Sequence, residues 1–147
     1  MNKKAWAWLA VIAAFTLVVV LRTNSNAGGG SVSPVPAVFD DAHTLDQASA
    51  VSDQTGRPVL AFVTADWCGP CQALKRGALS DPEVAAYLRE HTVPVYLEER
   101  KSADAVAQLA PRVFPTTYLL QNGQTIARIE GGGPPTAYLN TIRRALE

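Results

Sequence analysis

Thr64-Ala65-Asp66-Trp67-Cys68-Gly69-Pro70-Cys71 decides the fold, because the chain changes character on either side of it. Before it runs Val59-Leu60-Ala61-Phe62-Val63, an apolar, β-branched segment of the length of a buried strand. After it, Cys71, Leu74, Lys75 and Ala78 recur at helical spacing. The stretch is therefore a strand-to-helix junction, with Cys68 at or just before the first helical turn. Unpaired backbone N–H groups and the positive end of a helix dipole favour a thiolate there over a thiol. A Cys-x-x-Cys in this position commonly has a lowered pKa at its first cysteine, which makes Cys68 a nucleophile near neutral pH and Cys71 its partner.

Two plainer uses of the pair compete with redox chemistry. A structural disulfide between Cys68 and Cys71 closes a very small loop and constrains the unfolded chain little. A zinc site needs four ligands as a rule, and His43 and His91 are each some twenty or more residues from the pair and are not themselves paired at metal-ligand spacing. The chemistry expected is thiol–disulfide exchange, with no metal and no organic cofactor.

Outward from the motif, the length is that of one ordinary domain plus a leader. Formal net charge is zero, which gives no electrostatic case for nucleic acid. The cysteine count leaves a cytosolic and an exported protein equally open. The N-terminus decides between them. Asn2-Lys3-Lys4 precedes an uncharged apolar run from Ala5 to Leu21, about the lower limit of the 17–25 residues that span a bilayer. Trp6 and Trp8 stand where interfacial aromatics anchor one end, and the lysines outweigh Arg22, which places the N-terminus in the cytoplasm. Residues 1–22 are expected to be a membrane anchor. The rival is a cleaved signal peptide followed by soluble export, since Ser25-Asn26-Ala27 offers small residues at cleavage-determining positions. Either way the domain lies outside the cytoplasm, on the periplasmic side.

Residues 23–37, rich in Gly, Ser, Asn and Pro, are expected to be a flexible linker. The folded domain is expected over 38–147. Its first helix carries Leu45, Ala48 and Val51 and stops at Gly56. The strand and the active-site helix, to about Leu79, follow. Asp81 with Pro82 opens a further helix through His91. Thr92 to Leu97 is a second strand, and Ser102 caps a short helix. Thr116–Leu120 and Thr125–Ile129 flank Asn122-Gly123, a two-residue hairpin signal. Pro134-Pro135 starts a last helix with Tyr138, Leu139, Ile142 and Leu146 on one face. Crossovers favour parallel pairing of the first two strands and the hairpin makes the last two antiparallel. The fold class is α/β, a mixed sheet with helices on both faces.

Trp67-Cys68-Gly69-Pro70-Cys71 resembles the active-site motif of the thioredoxin family, and Phe114-Pro115-Thr116 resembles its cis-proline segment. The order of elements matches from about Val38 to Glu147. Within that family, the stretch Leu74–Val95, with its Ser80-Asp81-Pro82-Glu83-Val84 insert, is most similar to the C-terminal thioredoxin-like domain of the thiol:disulfide interchange protein DsbD. The resemblance implies a thioredoxin fold and catalysis by Cys68 and Cys71. It implies that Trp67 shields the site, that Gly69 admits a partner and that Pro70 tunes the redox potential. Around Pro115, backbone groups of Phe114 and Thr116 would pair with an extended substrate peptide. It implies disulfide-containing client proteins and a membrane electron donor of the thiol:disulfide interchange type as partners. A disulfide-forming oxidase, or a peptide-binding chaperone module with little turnover, are the alternatives.

This chain departs from the pattern twice. Thioredoxins usually carry a buried acid six positions before the first cysteine, where this sequence has Phe62. The DsbD-like domain has an acid in the active-site helix, where this sequence has Lys75. Lys75 is expected to be a solvated helix lysine, or a group favouring the thiolate. Asp66 and Glu98 are candidates for proton transfer, and the run Glu98-Glu99-Arg100-Lys101 is expected to be a solvated loop.

Overall fold

The computed structural model describes residues 31–147. The apolar segment expected to form an anchor or signal, and residues 23–30 of the expected linker, lie outside the described residues.

Helix α1, Leu45–Thr55, starts at a reciprocal cap in which the Thr44 side chain accepts from the Gln47 N–H and the Gln47 side chain from the Thr44 N–H. It stops at Gly56, whose φ of 72° is left-handed and suits glycine. Strand β1, Val59–Thr64, leads directly into helix α2, Gly69–Arg76. α2 is shorter than expected. Gly77 leaves the helical angles (φ −94°, ψ −107°), and Ala78–Ser80 forms a separate 3₁₀ turn. Helix α3, Pro82–His91, is capped by Asp81, whose carboxylate accepts from the N–H groups of Glu83 and Val84. Strand β2, Val93–Glu98, and helix α4, Ala103–Leu109, follow. Ser102 precedes α4 but makes no side-chain cap; its carbonyl accepts from the Val106 N–H instead. Strands β3, Thr116–Gln121, and β4, Gln124–Glu130, are joined through Asn122 and Gly123, both at positive φ. Helix α5, Pro135–Leu146, ends the domain.

The sheet order is β2-β1-β3-β4, with β1 and β2 parallel and the other two pairings antiparallel. Helices cover both faces, so β1 is buried at every position, which is why it is a continuous apolar run rather than an alternating one. Leu60 and Phe62 enter a core with residues of α2, α3, α5 and the turn at Val38–Phe39. Val59, Ala61 and Val63 enter a second core with residues of α1, α4 and β2. The thioredoxin fold expected from the sequence is present over this domain.

Packing begins before Val38. Ser33 is buried: its N–H donates to Gln72 Oε1 at 2.7 Å, and its carbonyl accepts from Lys75 Nζ at 3.0 Å. Its hydroxyl accepts from Arg76 at 2.8 Å. Three consecutive polar groups of one residue are thus held by one face of α2. Arg89 donates to the Ala37 carbonyl from the neighbouring helix.

Candidate redox site

Cys68 is the N-cap residue of α2 and adopts an extended backbone (φ −86°, ψ 105°). Gly69 and Pro70 fill the first turn, where proline loses no helical hydrogen bond. Cys71 completes the turn, and its N–H points at Cys68 Sγ at 3.2 Å. The two cysteines form a disulfide, with Cα atoms 5.2 Å apart. Cys68 Sγ is therefore held at a helix N-terminus, one amide directed at it. Both cysteines are buried, Cys71 completely, and they pack with Ala65 and Phe114. Gln72 fastens the incoming loop, donating to the carbonyls of Asp66 (3.2 Å) and Ala65 (3.4 Å).

Trp67 stands at the rim with 64% of its surface exposed, yet its orientation is fixed. Its indole N–H donates to Glu99 Oε2 at 2.8 Å, and its ring meets Phe114 edge-on, with centroids 5.7 Å apart. The Phe114–Pro115 peptide bond is cis. The Pro115 carbonyl accepts from the Gly131 N–H at 2.8 Å, and Thr116 is buried with its hydroxyl donating to the Val113 carbonyl. Trp67, the cysteine pair and Phe114 thus meet in one place, with Gly69 and Pro70 exposed beside them.

Two contributors escaped the sequence. The run Glu98–Lys101 is not a solvated loop throughout. Glu98 is buried and its Oε2 accepts from the N–H groups of Arg100 and Lys101, while Glu99 holds Trp67. Gly132 lies so close to α2 that a Cβ there would stand 2.8 Å from Leu74 Cδ1. That approach forms a cleft of about 240 Å³ lined by Pro70, Ala73, Leu74, Gly132 and Gly133. A triple glycine beside a helix start is the only trace of it in the sequence.

The expected solvated lysine is corrected by the structure. Lys75 is 1% exposed, and its Nζ donates to the Ser33 carbonyl and, at 3.2 Å, to the Tyr96 hydroxyl. Burial lowers its pKa from the ordinary 10.5, against Asp66 and Glu98, whose charges raise it. Phe62, in the place of the usual acid, is wholly buried between Phe39 and Tyr96, each ring centroid 5.9 Å away. Burial pushes the Tyr96 phenol up to about 12, with Asp66 and Glu98 adding to the rise. No cluster of three metal-ligating side chains occurs among the described residues.

The thioredoxin-like domain family matches residues 45–146. The chain is 27% identical to the chloroplastic thioredoxin Y of Oryza sativa subsp. japonica over 104 residues, covering 71% of this chain and 60% of that protein. It is 28% identical to the thiol:disulfide interchange protein DsbD of Ralstonia nicotianae over 138 residues, covering 88% of this chain and 22% of that protein. Among solved structures, the DsbH oxidoreductase superposes with a TM-score of 0.67 at 22% identity, over 85% of this chain and 96% of that one. That superposition bears on the fold; the family match, spanning most of the domain, bears on descent. This chain belongs to the thioredoxin-like domain family.

Proposed function

We propose that the protein is a membrane-tethered, extracytoplasmic thiol–disulfide oxidoreductase that reduces protein disulfides through Cys68 and Cys71. The observation that carries this reading is the Cys68–Cys71 disulfide at the start of α2, with the Cys71 N–H directed at Cys68 Sγ. In the reduced protein the same amide and the helix dipole stabilise a Cys68 thiolate. That thiolate attacks one sulfur of a client disulfide. The client S–S bond breaks, a Cys68–client mixed disulfide forms, and the departing client thiolate takes a proton. Cys71, deprotonated, then attacks Cys68 Sγ. The mixed disulfide breaks, the second client thiol leaves, and the Cys68–Cys71 bond forms. Two electrons pass from the pair to the client, and an external dithiol donor must return them. A membrane donor of the interchange type fits a tethered domain, and the DsbD similarity supports that choice.

The Gly-Pro dipeptide between the cysteines is the one the resemblance associates with reductases. Thioredoxin lies at about −270 mV and the strong oxidant DsbA at about −120 mV. A value near thioredoxin's is expected. The oxidase reading is favoured by one observation: Phe62 is wholly buried in the place of the usual acid, and the loss of that negative charge moves the pair toward the oxidising side. Equilibration with glutathione buffers tests the direction; a value close to DsbA's would sink the reductase reading. Insulin reduction tests the residues. Cys68→Ser should abolish turnover, and Cys71→Ser should accumulate mixed disulfides with clients. Trapping by Cys68→Ser instead would reverse the two roles. An alkaline phosphatase fusion after Glu147 should be active and should sediment with membranes.

A further inference from the structure

A charged side chain is tolerated in a core only where something replaces the water it loses. Lys75 lies on the buried face of α2, one helical turn beyond Cys71. Side chains four apart on a helix have Cβ atoms roughly 5–6 Å from each other. Helix side chains also lean toward the helix N-terminus, which from position 75 is the direction of the turn that carries Cys71. Its Nζ is fixed by the Ser33 carbonyl at 3.0 Å and the Tyr96 hydroxyl at 3.2 Å, and lies 5.7 Å from the centre of the Tyr96 ring. The charged groups around it are Asp66 from the loop before α2, Glu98 at the end of β2, Lys101 beyond it and Arg76 on α2. Among the described residues, no carboxylate forms an ion pair with Lys75. Its positive charge is therefore held in place and only partly offset, on the same helix face as the buried Cys71, one turn away.

Resting on the dithiol reading above, we propose that Lys75 is a positioning residue for the redox couple, its buried ammonium stabilising the thiolate state of the reduced Cys68/Cys71 pair. A fixed cation in a partly desolvated site acts on a neighbouring thiol more strongly than the same charge in water. Favouring the thiolate stabilises the reduced pair against the disulfide, which moves the couple toward the oxidising side. The ammonium gives up no proton in this role. Because the two thiols interact, the effect belongs to the pair rather than to one sulfur. Ser33 belongs to the device, since its carbonyl is the nearer of the two groups that aim Nζ.

The test uses the full chain carrying Lys75→Met, Lys75→Gln or Lys75→Arg. Two quantities are read in each: thiolate absorbance against pH, and the equilibrium constant with glutathione. Lys75→Met and Lys75→Gln should both raise the apparent pKa of the dithiol. Both should also shift the glutathione equilibrium about five- to tenfold toward the disulfide, where tenfold corresponds to about 30 mV. Lys75→Arg should return both readouts to within about twofold of wild type, since it keeps the charge. Lys75→Gln guards against a folding defect, because it removes the charge while keeping a polar hydrogen-bond donor on this side chain. A purely structural lysine would lower the melting temperature of Lys75→Met and leave the thiol titration where it was. An unchanged titration and equilibrium constant in either folded neutral variant overturns the proposal. A wild-type pair that does not exchange with glutathione at all overturns the proposed function as well. Normal exchange in wild type with no change in the variants overturns only the role of Lys75.

Discussion

Adjacent residues of β1 look into two different interiors. Val63 enters a core built from aliphatic side chains of α1, β2 and α4, with Tyr118 as its one fully buried ring. Phe62 enters a core with Phe39, Tyr96 and Tyr138, beside which Lys75 is buried and Ser33 is pinned. Both faces are buried, yet Lys75 is buried beside the second, and that is the face that supports the cysteine helix. The difference teaches how this domain accommodates Lys75. The Ser33 carbonyl and the ring and hydroxyl of Tyr96 meet the ammonium, and the Asp66 and Glu98 charges act on it without forming an ion pair.

The largest effect expected from this contrast is on stability. Phe62→Ala should cost about 3–5 kcal/mol, because it removes a wholly buried ring that two other rings rest on. Val63→Ala, one residue away on the aliphatic face, should cost about 2 kcal/mol. Urea unfolding of the two variants measures the difference. Equal losses would mean that the aromatic face is no more tightly organised than its neighbour.

The aliphatic face was legible. Val59, Ala61 and Val63, the α1 stop at Gly56 and the Asn122-Gly123 hairpin follow from periodicity and turn chemistry, which depend on nearby residues. The strand-to-helix junction at Cys68 was legible for the same reason. On the aromatic face Phe62 and Tyr138 were legible in the same way, but the buried lysine was not. Lys75 shares a helix face with Cys71 and Leu74, which is a signal of burial, but a long cationic side chain is usually solvated and local pattern cannot show what surrounds it. The groups that surround it, Tyr96 and Ser33, come from 21 and 42 residues away. Ser33 sits among residues whose composition is that of a linker, and only the groups on α2 give it a place. Glu99 was missed likewise, since its partner Trp67 is 32 positions distant.

The second prediction separates the faces by pH. Tyr96 and Tyr138, both on the aromatic face, are pushed up to about 12 from 10.0, in each case chiefly by burial. For Tyr138 the hydrogen bond with Thr117 works in the opposite direction. Between pH 10 and 12 the unfolded chain therefore loses phenolic protons that the folded chain keeps. The unfolded state binds fewer protons, so stability must fall as pH rises through this window, while below pH 10 the contribution is fully present. Tyr138→Phe should flatten the fall, measured as the urea midpoint from pH 8 to 11.5. Tyr118→Phe, on the aliphatic face, should flatten it less, because Arg128 opposes the effect of burial there. A steeper fall in Tyr138→Phe would reverse the sign of the argument.

The smallest effect belongs to the rim, which lies on neither face. Trp67 is mostly exposed, so the Glu99 bond that orients it contributes little to folding; removing such a bond costs about 1 kcal/mol or less. What the bond does is hold a flat apolar surface edge-on to Phe114, beside the cysteines. A client that docks there meets a surface already ordered, and the entropy of fixing an indole has been spent before it arrives. Glu99→Gln keeps the size of the side chain but replaces an ionised acceptor by a neutral one, which weakens the bond. The expected outcome is a KM for a disulfide-bonded protein raised about two- to threefold, the equivalent of roughly half a kcal/mol, with kcat little changed. Tryptophan anisotropy should fall in the same variant as the ring gains freedom. Should anisotropy fall while KM stays put, Trp67 would be an ordered but uninvolved rim residue. Docking would then rest on Phe114 and the cleft between α2 and Gly132.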